Sequence, residues 1–89
     1  MVTLQIIVQG KVQGVFYRVS AKKNAIQCSI TGWVKNTHEN HVEIMATGNS
    51  EQLATFVEWC KLGPSGARVD KVITEQAVHQ QFDEFIIIY

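Results

Sequence analysis

The stretch Gly10-Lys11-Val12-Gln13-Gly14-Val15-Phe16-Tyr17-Arg18 holds the residue types that grip a phosphoryl group. Glycine tolerates positive φ, so a loop built on Gly10 and Gly14 can turn successive backbone N–H groups toward one point. Where such a loop runs into a helix N-terminus it makes an anion cradle. Arg18 adds a planar guanidinium whose fork matches phosphate oxygens. A cation in the first helical turn opposes the helix dipole, which makes sense if an anion sits beside it. Taken alone, the two glycines could do no more than turn the chain from strand to helix.

A strand must end before this loop and a helix begin after it, and the sequence supplies both. Val2, Leu4, Ile6 and Val8 alternate with Thr3, Gln5 and Gln9, the pattern of a strand with one buried face. From about Tyr17 to Cys28 the pattern turns helical. Ala21, Ala25 and Cys28 share a stripe with Val19 and Ile26 beside it, so this helix is only weakly amphipathic. Residues 30–37 alternate again, as do Val42, Ile44 and Ala46, and the polar link His38-Glu39-Asn40 between them predicts a hairpin. Gly48-Asn49-Ser50 supplies a break and an N-cap. Leu53, Phe56, Val57 and Cys60 follow at i, i+3, i+4, i+7, and Gly63-Pro64 ends that helix. Residues 67–78 and 82–89 read as two further strands.

The predicted class is α+β, a ferredoxin-like βαββαβ sandwich with a short extra C-terminal strand. Its sheet is mostly antiparallel, both helices pack on one face, and the other face is partly open to water. Trp33, Trp59, Phe56 and Phe85 read as packing residues rather than a stacking platform.

Composition narrows the function. The 89 residues make one domain, residues 1–89, with little room for a second core. Eight basic residues balance eight acidic ones, which argues against bulk nucleic-acid binding. The charge is uneven: residues 1–45 carry five basic and two acidic groups, and the remainder carries three basic and six acidic. The anion loop lies in the positive half, which suits a small anionic substrate. Cys28 and Cys60, both placed within helical segments, read as buried free thiols of a reducing compartment. No signal-peptide pattern opens the chain and no apolar run reaches about 18 residues, so a cytoplasmic protein without a membrane span is expected. His38, His41 and His79 lack the companions a metal site needs and read as surface residues. No cofactor and no metal are expected, and the expected state is a monomer.

Gly10 to Arg18 resembles the first signature of the acylphosphatase family, and Gly32-Trp33-Val34-Lys35-Asn36, with Val42 and Gly48 downstream, resembles its second. The Gly63-Pro64 turn with Ala67 and Val69, and the ending Phe85-Ile86-Ile87-Ile88-Tyr89, are similar to its later segments. The resemblance implies a metal-free hydrolase of acyl phosphates with the ferredoxin-like fold. It implies that Arg18 binds substrate, that Asn36 is catalytic, and that Gln13, Gly14, Val15, Phe16 and Tyr17 form the phosphate cradle. Asn36 cannot act as a base at neutral pH, but its amide can hold a water by donating and accepting hydrogen bonds. Two departures concern stability: Asn40 stands where the family's hairpin usually has glycine, and Cys28-Ser29 where the first helix usually ends in Leu-Gly. Asparagine reaches the left-handed region more easily than most residues, so the hairpin is expected to survive. A noncatalytic anion- or partner-binding module on the same fold is the alternative. RNA-binding domains of this architecture need exposed strand aromatics and a basic face, which this chain lacks.

Overall fold

The computed structural model describes residues 1–89. The elements are β1 (Val2–Lys11), α1 (Tyr17–Gln27), β2 (Thr31–Asn36), β3 (Val42–Gly48), α2 (Ser50–Leu62), β4 (Arg68–Ala77) and β5 (Phe85–Ile88). They form one five-stranded sheet in the order β4-β1-β3-β2-β5. Every neighbour pair is antiparallel except β2–β5, which is parallel. This is the ferredoxin-like sandwich with its additional strand, as the alternation of patterns predicts.

Parity in the strands sets the two faces. Ile6 and Val8 of β1, Val34 of β2, and Val42, Ile44 and Ala46 of β3 are fully buried, on the face the helices cover. α2 contributes Leu53, Phe56 and Cys60 to the same core, and α1 contributes Tyr17, Ala21 and Ala25. The start of α2 is a capping box: Asn49 Oδ1 accepts from Gln52 N–H at 2.8 Å, and Asn49 N–H donates to Gln52 Oε1 at 3.0 Å.

Three expectations are corrected. Val19 and Ile26 do not border the buried stripe of α1. At 3.6 residues per turn they lie about 140–160° around the helix from the middle of the stripe of Tyr17, Ala21 and Ala25, and both are exposed. Cys28 caps α1 from outside the helix rather than lying within it, so it is only half-buried, whereas Cys60 is buried. The final strand is shorter than residues 82–89, because the chain first has to cross from β4 at one sheet edge to β5 at the other. That crossover covers one end of the otherwise open face. Gln80 N–H donates to Thr3 Oγ1 at 2.9 Å, Thr47 Oγ1 donates to the Gln80 carbonyl at 2.8 Å, and the two threonine hydroxyls lie 2.6 Å apart.

Both departures from the family pattern occupy left-handed backbone. Asn40 has φ 66° and makes the hairpin turn, as expected of asparagine. Ser29 has φ 60° in the closing turn of α1, where Ile30 N–H donates to the Ala25 carbonyl at 2.8 Å and Ser29 N–H to the Ile26 carbonyl at 3.1 Å. That pair of bonds is the Schellman arrangement, with serine at the position glycine favours. Ser29→Gly is expected to raise stability by about 1 kcal/mol, a gain of roughly 4–8 °C in Tm for a domain this size. Thermal denaturation of the two proteins in the same buffer checks it.

Candidate functional site

Strand β1 ends at Lys11, and the chain then bends through Gln13–Phe16 into α1. Gly14 has φ 74° and Phe16 has φ 62°, ψ 25°, so two left-handed residues alternate with ordinary ones. That alternation turns neighbouring N–H groups to one side. A Cβ added at Gly14 would meet nothing within 4 Å, so its backbone angle, and not crowding, calls for glycine. Phe16 pays for the same geometry with a conformational penalty on the order of 1–2 kcal/mol, and its ring stands 79% exposed. No backbone N–H from Gln13 through Val19 finds an acceptor within the protein. The first N–H groups of any helix are orphaned, and this loop adds more donors to them.

Arg18 follows in the first turn of α1, half-buried. None of the protein's ion pairs, Lys35–Glu43, Lys61–Glu58 and Arg68–Asp70, includes it. Its guanidinium is held from the far side. Nη1 donates to the Ile88 carbonyl at 3.3 Å, and Cζ lies 5.1 Å from the centroid of the Tyr89 ring. A cation without a counter-ion, beside donors without acceptors, makes a site that favours an anion.

Asn36 closes β2 and lines the same cleft of about 230 Å³, together with Val12, Gly14, Phe16, Tyr17, Arg18 and Val19. Its Oδ1 is the one buried side-chain polar atom without a hydrogen-bond partner. A buried amide oxygen left without a donor is costly.

The structure therefore brings Gly14, Phe16, Tyr17, Arg18 and Asn36 around one cleft. Val15 does not line it; its side chain packs against the core. Gln13 turns its side chain away from the cleft to the hairpin, donating from Nε2 to the Thr37 and His41 carbonyls. Tyr17 contributes its backbone and buries its ring. Its hydroxyl donates at 2.8 Å to the Cys60 carbonyl in the last turn of α2, one of the carbonyls a helix end leaves free. Sequence reasoning missed Ile88 and Tyr89 as the backing of Arg18. The signal lies in strand direction: β5 runs parallel to β2 with Ile88 beside Lys35, so both chain segments end at the cleft.

Burial drives the Tyr17 hydroxyl far above the ordinary phenol range, and drives the Cys60 thiol from 9.0 up to about 12. Both groups keep their protons at pH values where an unfolded chain gives them up. Their share of stability is therefore complete below about pH 9 and drains away as pH rises above it. Tyr17→Phe is expected to lose about 1–3 kcal/mol at neutral pH, because the Cys60 carbonyl is left alone. The variant should also show a shallower decline in alkali, and urea unfolding across that range measures both effects.

The profile of the family described as Acylphosphatase matches residues 4–87. An acylphosphatase from Methylococcus capsulatus is 39% identical over 89 residues, covering 99% of this chain and 97% of the relative. One from Marinobacter nauticus is 43% identical over 81 residues, covering 90% of this chain and 88% of the relative. The crystal structure of acylphosphatase from Bacillus subtilis superposes with a TM-score of 0.97 at 34% identity, each chain covered completely.

Proposed function

The chain belongs to the acylphosphatase family, and we propose that its cleft carries out the hydrolysis of acyl phosphates with Arg18 and Asn36 as the catalytic pair. The backbone amides of Gln13, Gly14, Val15, Phe16 and Tyr17, with the Arg18 guanidinium, hold the phosphoryl oxygens. Asn36 holds the attacking water. The observation that carries this reading is one cleft lined by Gly14, Phe16 and Tyr17, whose amides find no acceptor in the protein, by Arg18, whose guanidinium has no counter-ion, and by Asn36.

The chemistry suits such a sparse site. A carboxylate is a good leaving group and departs without needing a proton. What remains is positioning, and stabilisation of charge on the equatorial oxygens. Amides fixed by the fold and a guanidinium fork supply that stabilisation with no reorganisation at the moment of reaction. The Asn36 side-chain amide holds the water, which keeps an oxygen lone pair directed at phosphorus. The P–O bond to the acyl group breaks as the new one forms, and the water's proton passes to a phosphate oxygen. The products are a carboxylate and dihydrogen phosphate. The reading includes a monomer acting in the cytoplasm on a small substrate, without nucleic acid. No helix is long and apolar enough to cross a membrane.

Hydrolysis of benzoyl phosphate, followed by the loss of its ultraviolet absorbance, tests the activity. Turnover above background is expected; its absence leaves only a noncatalytic anion-binding module. Arg18→Ala should lose both turnover and affinity for inorganic phosphate, with kcat/KM down by at least about 100-fold. Asn36→Ala should lose turnover by a similar factor and change phosphate inhibition by less than about threefold. Equal loss of phosphate affinity in both variants defeats the division of roles. A chelator should leave the rate unchanged, and inhibition reversed by a divalent cation would overturn metal independence.

A further inference from the structure

The two halves of the site hang on strands that do not touch. The amide loop follows β1 and Asn36 ends β2, but the sheet order places β3 between them. Two strand spacings, about 10 Å, therefore separate the backbones that must act together. One side chain spans that gap. Gln13 Nε2 donates one hydrogen bond to the Thr37 carbonyl at 3.0 Å and another to the His41 carbonyl at 2.8 Å. Thr37 directly follows Asn36, and His41 directly precedes β3.

The mouth of the hairpin is already closed on itself. Thr37 N–H donates to the His41 carbonyl at 3.0 Å, and His41 N–H donates to Thr37 Oγ1 at 3.2 Å. Gln13 thus binds a preformed pair of carbonyls rather than gathering a loose loop. Both of its amide protons are committed there, so its side chain has no donor left for a phosphoryl oxygen. Asn36 Oδ1 has no partner in the protein, so its aim is inherited from the backbone at Asn36–Thr37.

We propose that the Gln13 side chain is a positioning residue, which fixes the distance between the amide loop and the water-holding Asn36 and does not itself bind substrate. The inference rests on the acyl-phosphate reading above. A misplacement of about 1 Å between reacting groups can cost as much as 100-fold, so one tie of this kind has a measurable effect.

The test compares Gln13→Met, which keeps the length without donors, and Gln13→Asn, which keeps the amide on a stem too short to span the gap. The readouts are kcat and KM for benzoyl phosphate, inhibition by inorganic phosphate, and thermal unfolding. Both variants are expected to lose at least about tenfold in kcat while phosphate inhibition moves by less than about threefold. In the Asn36→Ala background, Gln13→Met should cost much less than it does alone, since the group it aims is gone. Unchanged kcat in either variant overturns the proposal. So does phosphate affinity falling in step with turnover, which would make Gln13 a ligand. Full additivity with Asn36→Ala overturns it as well. Wild-type protein without turnover defeats the acyl-phosphate reading instead, so the two failures are distinguishable.

Discussion

Backbone N–H groups without acceptors are tolerated only where water or a ligand can reach them. The run from Gln13 to Val19 is such a group, and much of the architecture serves to keep it open and rigid at once. It sits at the end of the sheet, between β1 and α1, where the cleft admits solvent. Its rigidity comes from the anchoring of α1. The Tyr17 ring is fully buried, stands 5.2 Å from the Trp59 ring, and ties the start of α1 to the end of α2 through the Cys60 carbonyl. A first helical turn fixed this way cannot relax to rid Phe16 of its left-handed backbone, so the strain is held by the core.

Local features were legible in the sequence and distant ones were not. The alternation of β1, the hairpin, an N-cap within Gly48-Asn49-Ser50 and the inward stripe of α2 are set by residues within a turn or two of each other, and the structure contains all of them. The sequence also sets the glycine loop and Arg18 side by side as neighbours with complementary chemistry, and the structure places Gly14 and Arg18 on one cleft. α1 was harder. Its buried face is small alanines plus one tyrosine while Val19 and Ile26 face solvent, so apolar content gives little contrast between its sides. The ties between Thr3, Thr47 and Gln80, and between Arg18 and Ile88, join residues 33 to 77 positions apart. Nothing in the local pattern of a threonine or a terminal tyrosine announces such a partner. The left-handed backbone of Phe16 is not legible in the sequence, since an aromatic at positive φ runs against local preference.

The topology also explains why so much of the site comes from strand ends. β1, through its following loop, supplies the amides and leads to Arg18, and β2 supplies Asn36. β5, parallel to β2, delivers a carbonyl and an aromatic ring behind the guanidinium. Each contributor lies at one end of a hydrogen-bonded sheet, so its backbone is fixed while its terminal side chain or amide remains free. The hairpin loop between β2 and β3 is the exception, and there the Thr37–His41 bonds replace the ladder.

Arg18 shows how charge and position combine. Its location at a helix N-terminus is unfavourable for a cation, and no carboxylate relieves it. A carboxylate there would stabilise the resting protein but would compete with any incoming anion. The fold instead backs the guanidinium with a carbonyl and a ring face, which orient it and leave most of its charge uncompensated. On the proposed reading, an arriving phosphoryl group meets a cation already aimed, with no ion pair to break first, and helix dipole, orphan amides and guanidinium all act on it with the same sign.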